Sequence, residues 1–258
     1  MKKVFYVLSI CIIGALGLSS CGKDKDEAKE DDGKVYLVKS ITCTDNDSKY
    51  TFTYDNNNRL VKVLKEEDDL IEEGKYSYQG NTITETWTVS NEIVPQRLSR
   101  VITMDASNEF ISNLIETHTN YYDDGETREY NYPVSFSFNL GYITKEIEEG
   151  GEETYTWTNG NVTLDNFETT YSNIKNKTNM DFVLFYVMLY GRDNLCFYRI
   201  FSQFIKNVSK NIPASQSFDP GGEDDIVKYD FSTTLDEKGR PSKITVDEDE
   251  SFIFEYYD

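Results

Sequence analysis

The feature that most constrains the fold is a repeated unit of two alternating strands around a short polar turn. Its clearest copy is the run Tyr50–Tyr54, in which every second residue is aromatic, followed by the polar stretch Asp55–Arg59 and the second run Leu60–Val63. Because side chains alternate between the two faces of a strand, the three aromatic residues of the first run share one face. Asp and Asn favour the turn, since they tolerate positive φ and bond their own backbone.

Further copies of this unit follow along the chain at irregular spacing, so the protein is not a strict solenoid. Tyr, Phe, Thr and Val alternate in the strands, as a half-buried sheet requires. Each unit buries one face only by packing beside its neighbours. We therefore predict a mainly β fold, a repetitive antiparallel β-hairpin meander that forms a curled sheet. The predicted turns lie at residues 80–81, 106–109, 139–141, 159–161 and 236–240.

One stretch, at about 180–210, has a helical period instead. Its second half has apolar residues spaced as on one helix face, which predicts an amphipathic helix ending before Pro213. Its first half, Phe182–Tyr190, is apolar all round and follows a possible cap at Asn179. This run fits both a helix and a buried strand, and we favour a helix. We expect the whole segment to pack on the sheet and to cover its edges. The apolar positions of the second half are Phe197, Ile200, Phe201, Phe204, Ile205 and Val208.

The first 20 residues have the pattern of a secretory signal. Two lysines precede the apolar run Val4–Leu18, which is shorter than the roughly 20 residues that cross a bilayer core. The site that ends the run resembles the cleavage box of bacterial lipoproteins, in which the cysteine is acylated. This resemblance implies a signal peptide at 1–20, a lipid on Cys21 and attachment to the membrane through that lipid. The box residues are Leu18, Ser19, Ser20 and Cys21.

The charged stretch that follows is predicted to be a solvated tether. Residues 23–32 contain a single apolar residue, Ala28, and cannot bury enough surface to fold. An acidic stretch directly after the lipidated cysteine resembles the export signal of Bacteroidota lipoproteins, which implies an outer-membrane location facing outward. We therefore divide the chain into the signal 1–20, the acidic tether 21–34 and a single β-rich domain, 35–258.

Net charge excludes one class of partner. The chain has 26 Lys and Arg against 46 Asp and Glu, a formal charge of −20, and loss of Lys2 and Lys3 with the signal makes it −22. A field of this sign repels phosphate backbones, so we expect no binding to nucleic acid. Neutral glycans and envelope proteins remain as possible partners.

The four cysteines give no metal site. Cys11 leaves with the signal and Cys21 carries the lipid, so Cys43 and Cys196 remain in a compartment that permits disulfides. They lack the spacing of zinc ligands, and the chain has one histidine. Two buried thiols and one disulfide are both compatible with the sequence, and we favour two buried thiols.

The search for catalytic residues finds no recognisable set. His118 lies in an alternating run typical of a strand surface, and no nucleophile elbow precedes a helix. The acidic clusters at 66–69, 148–149, 223–225 and 247–250 have the composition of solvated turns. Calcium is an alternative for Asp45–Asp47 or 247–250, but both lack the glycine and distal glutamate of a calcium loop. We expect no cofactor, no metal and no catalytic residue.

Aromatic residues suggest one binding chemistry. Trp87 and Trp157 are candidates for ring stacking against a sugar, if their faces reach the surface.

Three functions remain open. The leading hypothesis is a non-enzymatic binding or scaffold module. The alternatives are a carbohydrate-active enzyme that uses an Asp/Glu pair and a purely structural envelope protein.

The order of the motifs resembles a known family. The turns Tyr54–Leu60 and Leu235–Pro241 are similar to the tyrosine–aspartate repeats of large secreted β-shell proteins. With the cleavage box, the tether, Asn176–Asn179 and Ser209–Pro213, the chain resembles Bacteroidota lipoproteins of domain-of-unknown-function family 4595. The likeness covers nearly all of the chain after the signal. It implies a fold and an outer-membrane location, but no activity.

Overall fold

Sixteen antiparallel strands of the described residues form a single sheet. The structure is a computed structural model that describes residues 34–90, 97–107, 109–121, 126–165, 167–191, 197–218, 226–247 and 250–258. The signal, Cys21 and the tether up to residue 33 lie outside the described residues. The strands are β1 (Val38–Cys43), β2 (Lys49–Tyr54), β3 (Leu60–Glu67), β4 (Leu70–Gln79), β5 (Thr82–Ser90), β6 (Arg97–Met104), β7 (Ile111–Tyr121), β8 (Thr127–Asn139), β9 (Tyr142–Glu148), β10 (Gly151–Thr158), β11 (Asn161–Leu164), β12 (Phe167–Lys175), β13 (Asn211–Phe218), β14 (Val227–Leu235), β15 (Pro241–Val246) and β16 (Glu250–Tyr256).

The sheet is a meander that nearly closes on itself. Each strand pairs with its neighbours in sequence, and β1 also pairs with β16, where Ile41 lies opposite Phe254. The two edge strands, β11 and β12, are consecutive in the chain. Side chains link them. The Tyr171 hydroxyl of β12 donates to the Val162 carbonyl of β11, and Ser209 Oγ accepts from the Val162 N–H at 3.1 Å while it lies 3.2 Å from the Tyr171 hydroxyl. This confirms the predicted curled meander of hairpins.

The predicted tyrosine–aspartate turns have one shared geometry. Asp55 Oδ1 accepts the N–H groups of Asn57 and Arg59, each at 2.9 Å, while Arg59 Nε donates to Asp55 Oδ2 at 2.8 Å. Asn58 takes the positive φ of +59° that the turn requires. The same bonds recur in Asp236–Arg240, where a glycine supplies the positive φ. The local sequence thus fixes these two turns.

A second recurring bond ties neighbouring strands together. In five places among the described residues, an aromatic side chain donates a hydrogen bond to the carbonyl of the first or second residue of the preceding strand in the chain. The bond satisfies the polar end of a ring whose body lies toward the core. The pairs are Tyr54 with Val38, Tyr78 with Leu60, Trp157 with Ile143, Tyr171 with Val162 and Tyr256 with Pro241.

The helical segment fills the inside of the curled sheet. It consists of α1 (Phe182–Gly191), a 3₁₀ turn (Phe197–Arg199) and α2 (Ser202–Ile205). Phe197 packs against Phe52 of β2 and Trp87 of β5, with ring centroids 5.6 and 5.9 Å away. Tyr186 of α1 contacts Phe231 of β14 at 5.1 Å. Strands that are far apart in the sheet therefore contact one segment, because the sheet curls around it.

The prediction of a helix over Phe197 to Val208 is wrong in its continuity. After the 3₁₀ turn, Phe201 forms a β-bridge with Met180, and α2 ends after one turn, before Lys206 with its φ of +61°. On the polar face of the predicted helix, Lys206 is exposed as expected, but Arg199 is buried. Surrounding strands hold this segment, so tertiary contacts override its helical period. None of the helices in the described part of the chain is long and apolar enough to cross a membrane.

The helix expected over Phe182–Tyr190 is confirmed as α1, but its cap is not Asn179. Asp181 precedes the helix, and its Oδ1 accepts the Val183 N–H at 3.0 Å. Asn179 instead accepts the Val38 N–H and donates to the Tyr54 hydroxyl, each at 3.2 Å. Asp181 is the better cap because it lies directly before the first helical residue.

Candidate functional site

A cleft of about 450 Å³ opens at one end of strands β16, β1 and β2. These strands are antiparallel neighbours, so the start of β1 lies beside the ends of β2 and β16. A volume of this size falls in the range of small-molecule sites. We call this feature the Tyr257 cleft. Its lining residues are Lys34, Val35, Tyr36, Leu37, Thr53, Tyr54, Asp55, Asn58, Tyr257 and Asp258.

Two tyrosine rings form the fixed part of the Tyr257 cleft. Tyr257 is 38% exposed, and its hydroxyl donates to the Phe52 carbonyl at 2.9 Å. Its ring meets that of Tyr54 edge-to-face, with centroids 5.9 Å apart. Burial raises the pKa of Tyr54, whose hydroxyl donates to the Val38 carbonyl. The accessible ring is therefore anchored at its polar end before any ligand arrives.

The polar groups of the cleft are of three kinds, because Lys34 also lines it, with its Nζ atom 4.7 Å from the centroid of the Tyr36 ring. Its carboxylates are engaged, since hydrogen bonds from Arg59 lower the pKa of Asp55, and Lys238 does the same for Asp258. Neither carboxyl group holds a proton at neutral pH. Thr53 and the turn residue Asn58 are exposed and uncharged. The cleft thus offers an aromatic face and neutral hydrogen-bonding groups beside three charged side chains, and neither of its carboxyl groups can act as a general acid at neutral pH.

The tryptophans predicted as stacking residues lie elsewhere. Trp87 is only 5% exposed, stacks on Phe197 and donates from Nε1 to Glu85 at 2.7 Å. It belongs to the core, which corrects its assignment as an accessible platform. Trp157 is half-buried, with its ring centroid 4.7 Å from that of Tyr142. Sequence reasoning missed Tyr257, which lies one residue before the end of the chain.

His118 lies on β7, as the alternating pattern predicts, but on the face of the sheet that carries the core. Its Nε2 is hydrogen-bonded to Glu116, and its ring meets that of Tyr132 at 5.1 Å. Glu116 in turn accepts from Arg100 Nε at 2.5 Å, and Arg100 donates to Glu85 at 3.1 Å. Burial raises the pKa of Glu116, but Arg100 and His118 lower it more. The neighbours of His118 shown here are a carboxylate and a phenol, not a nucleophile.

The acidic residues that the structure describes do not assemble into a metal centre. Among the residues that the structure describes, no group of three or more potential ligands could hold a metal ion. The clusters Glu66–Asp69, Glu148–Glu149 and Asp45–Asp47 lie at or beside hairpin turns. Residues 223–225 and 248–249 lie outside the described ranges.

Of the two cysteines in the predicted domain, Cys43 lies within the described residues. Cys43 is buried on β1, and burial raises the pKa of its thiol to about 11. Such a thiol is a poor nucleophile at neutral pH. Cys196 lies outside the described residues, so the choice between two thiols and a disulfide with Cys43 stays a prediction in favour of the thiols.

Comparisons with known proteins give a distant likeness. No family model and no curated protein matches the chain. Among solved structures, the crystal structure of a porin-like protein from Bacteroides vulgatus aligns with 86% of this chain and 99% of that one. The identity is 10% and the TM-score 0.33. A likeness of this degree gives no basis for assigning a function.

Proposed function

We propose that the protein is a non-enzymatic, lipid-anchored binding module of the outer membrane that captures a neutral glycan in the Tyr257 cleft. The observation that carries the proposal is the anchored, partly exposed ring of Tyr257 beside uncharged polar groups. Sugar rings bind proteins through flat aromatic faces and hydrogen bonds to their hydroxyls. A ring that is already fixed loses little conformational freedom on binding.

The charges favour binding over catalysis. A glycoside hydrolase needs one carboxylic acid with a raised pKa. In the cleft, Asp55 and Asp258 have pKa values below the ordinary carboxyl range, because Arg59 and Lys238 hold their charged forms. The formal charge of −20 also disfavours polyanionic glycans and favours neutral ones.

The membrane part of the proposal rests on the sequence Leu18–Cys21 and its acidic continuation. Acylation of Cys21, with two or more chains, would give a stable anchor. The Cys21→Ala variant is expected to leave the outer-membrane fraction and to appear as a longer precursor or a soluble product. Detergent partition and gel mobility measure both changes. A Cys21→Ala protein that still fractionates with the outer membrane would refute the anchor.

A glycan array tests the binding part. The purified mature protein in detergent is expected to bind one or more neutral glycans and to leave sulfated ones unbound. Tryptophan emission recorded with each glycan distinguishes binding in the Tyr257 cleft from binding at a tryptophan. Buried Trp87 should not respond to a ligand in the Tyr257 cleft. Binding to anionic glycans only, or to no glycan, would refute capture of a neutral glycan and would favour a protein partner or a structural role.

A further inference from the structure

A second accessible aromatic surface lies on the inner face of β6, β7 and β8. Register pairs Arg100 with Glu116 and Glu116 with Tyr132, so the three side chains form a row across the strands. The next row pairs His118 with Tyr130. Tyr130 and Tyr132 are each 39% exposed, although they lie on the face that carries the core further along the strand. We call Tyr130, Tyr132, His118 and Glu116 the inner tyrosine surface.

The base of this surface is a built charge network. Arg100 is fully buried and donates to Glu85 at 3.1 Å and to Glu116 at 2.5 Å. Glu85 also accepts from the Tyr76 hydroxyl at 2.6 Å. The row thus has two carboxylates for one guanidinium. Glu116 lies at the accessible end, with 12% of its side chain exposed, directly beside His118 and Tyr132.

We propose that the inner tyrosine surface binds a small organic cation with a quaternary ammonium or alkylammonium group. The faces of tyrosine rings attract cations, and weakly hydrated ammonium groups benefit most from such sites. The Glu116 carboxylate supplies the opposite charge, and the net charge of the protein raises the local concentration of cations. This site is separate from the Tyr257 cleft and does not depend on its neutral ligand.

The test is a titration of the mature protein with choline, in a detergent without a choline headgroup. His118 is the one histidine of the chain, so its imidazole proton resonances are assigned without ambiguity and report on this surface. The uncharged analogue 3,3-dimethyl-1-butanol has the same shape and is the matched probe. Choline is expected to shift the His118 resonances in a saturable way, and the analogue is not.

Three variants locate the site. Tyr130→Leu together with Tyr132→Leu removes both π faces but keeps apolar bulk, and should weaken choline binding about 5- to 30-fold. Glu116→Gln keeps the shape and should weaken it several-fold. Tyr257→Leu should leave it unchanged. The proposal is overturned if choline gives no saturable shift, if the analogue binds equally well, or if the double variant binds like the wild type. An unchanged remainder of each spectrum shows that the variant is folded.

Discussion

Phe197 tests whether the helical segment is the core around which the sheet curls. Its side chain is fully buried and contacts Tyr50, Phe52 and Trp87, with ring centroids 6.0, 5.6 and 5.9 Å away. Two of these rings belong to β2 and the third to β5, so their backbones hold them in place. Because these rings cannot move in to fill the space left by Phe197, Phe197→Ala should lose the free energy of burying the ring and also leave a cavity. Together these should lower the unfolding free energy by about 3–5 kcal/mol.

That loss is large against a typical total of about 5–15 kcal/mol. It corresponds to a fall in melting temperature of about 6–20 °C for a domain of this size. Urea unfolding followed by tryptophan fluorescence measures it, and Trp87 lies directly on the perturbed ring. Ile226→Ala is the matched control, since Ile226 is 65% exposed and its truncation should change stability by less than about 0.5 kcal/mol. Equal midpoints for the two variants would refute a core role for Phe197.

Three further changes have defined outcomes. Gly74→Ala places a Cβ 2.6 Å from the buried ring of Trp87 and should cost about 1–3 kcal/mol in urea unfolding, whereas Gly151→Ala meets nothing and should be neutral; equal midpoints would contradict this. The pKa of Glu116 is lowered in the folded state, so its contribution is present above the ordinary carboxyl pKa and lost as pH falls through the folded value. The stability of Glu116→Gln should therefore fall less steeply than that of the wild type between about pH 5 and 3. An unchanged slope in this pH range would count against the pairing of Glu116 with Arg100 and His118. Cys21→Ala should release the protein from the outer membrane.

The hairpins were predictable because their determinants are local. Asp55 and Asp236 bond the N–H groups of their own turns, and alternating aromatic residues set which face is buried. The curled meander followed from these patterns, whereas the apolar run of α1 fitted both a helix and a buried strand and only favoured a helix.

Features that depend on distant residues were not predictable. The pairing of β1 with β16 joins the first and last strands in chain order within the sheet, and no local signal indicates it. The Tyr257 cleft exists only because of that pairing. The period of Phe197–Val208 predicts a helix, but strands on several sides hold this segment in a 3₁₀ turn and a single helical turn. Trp87 became a core residue for the same reason, since Phe197 covers its ring.

The most direct test of the central claim is calorimetric titration of the mature protein with a neutral glycan selected on the array. The wild type should bind the glycan saturably, and Tyr257→Ala should weaken binding about tenfold or more, equivalent to about 1.4 kcal/mol or more. Trp157→Leu should bind like the wild type, because its ring lies outside the Tyr257 cleft. Equal affinity of Tyr257→Ala and the wild type would contradict the account, as would a loss confined to Trp157→Leu.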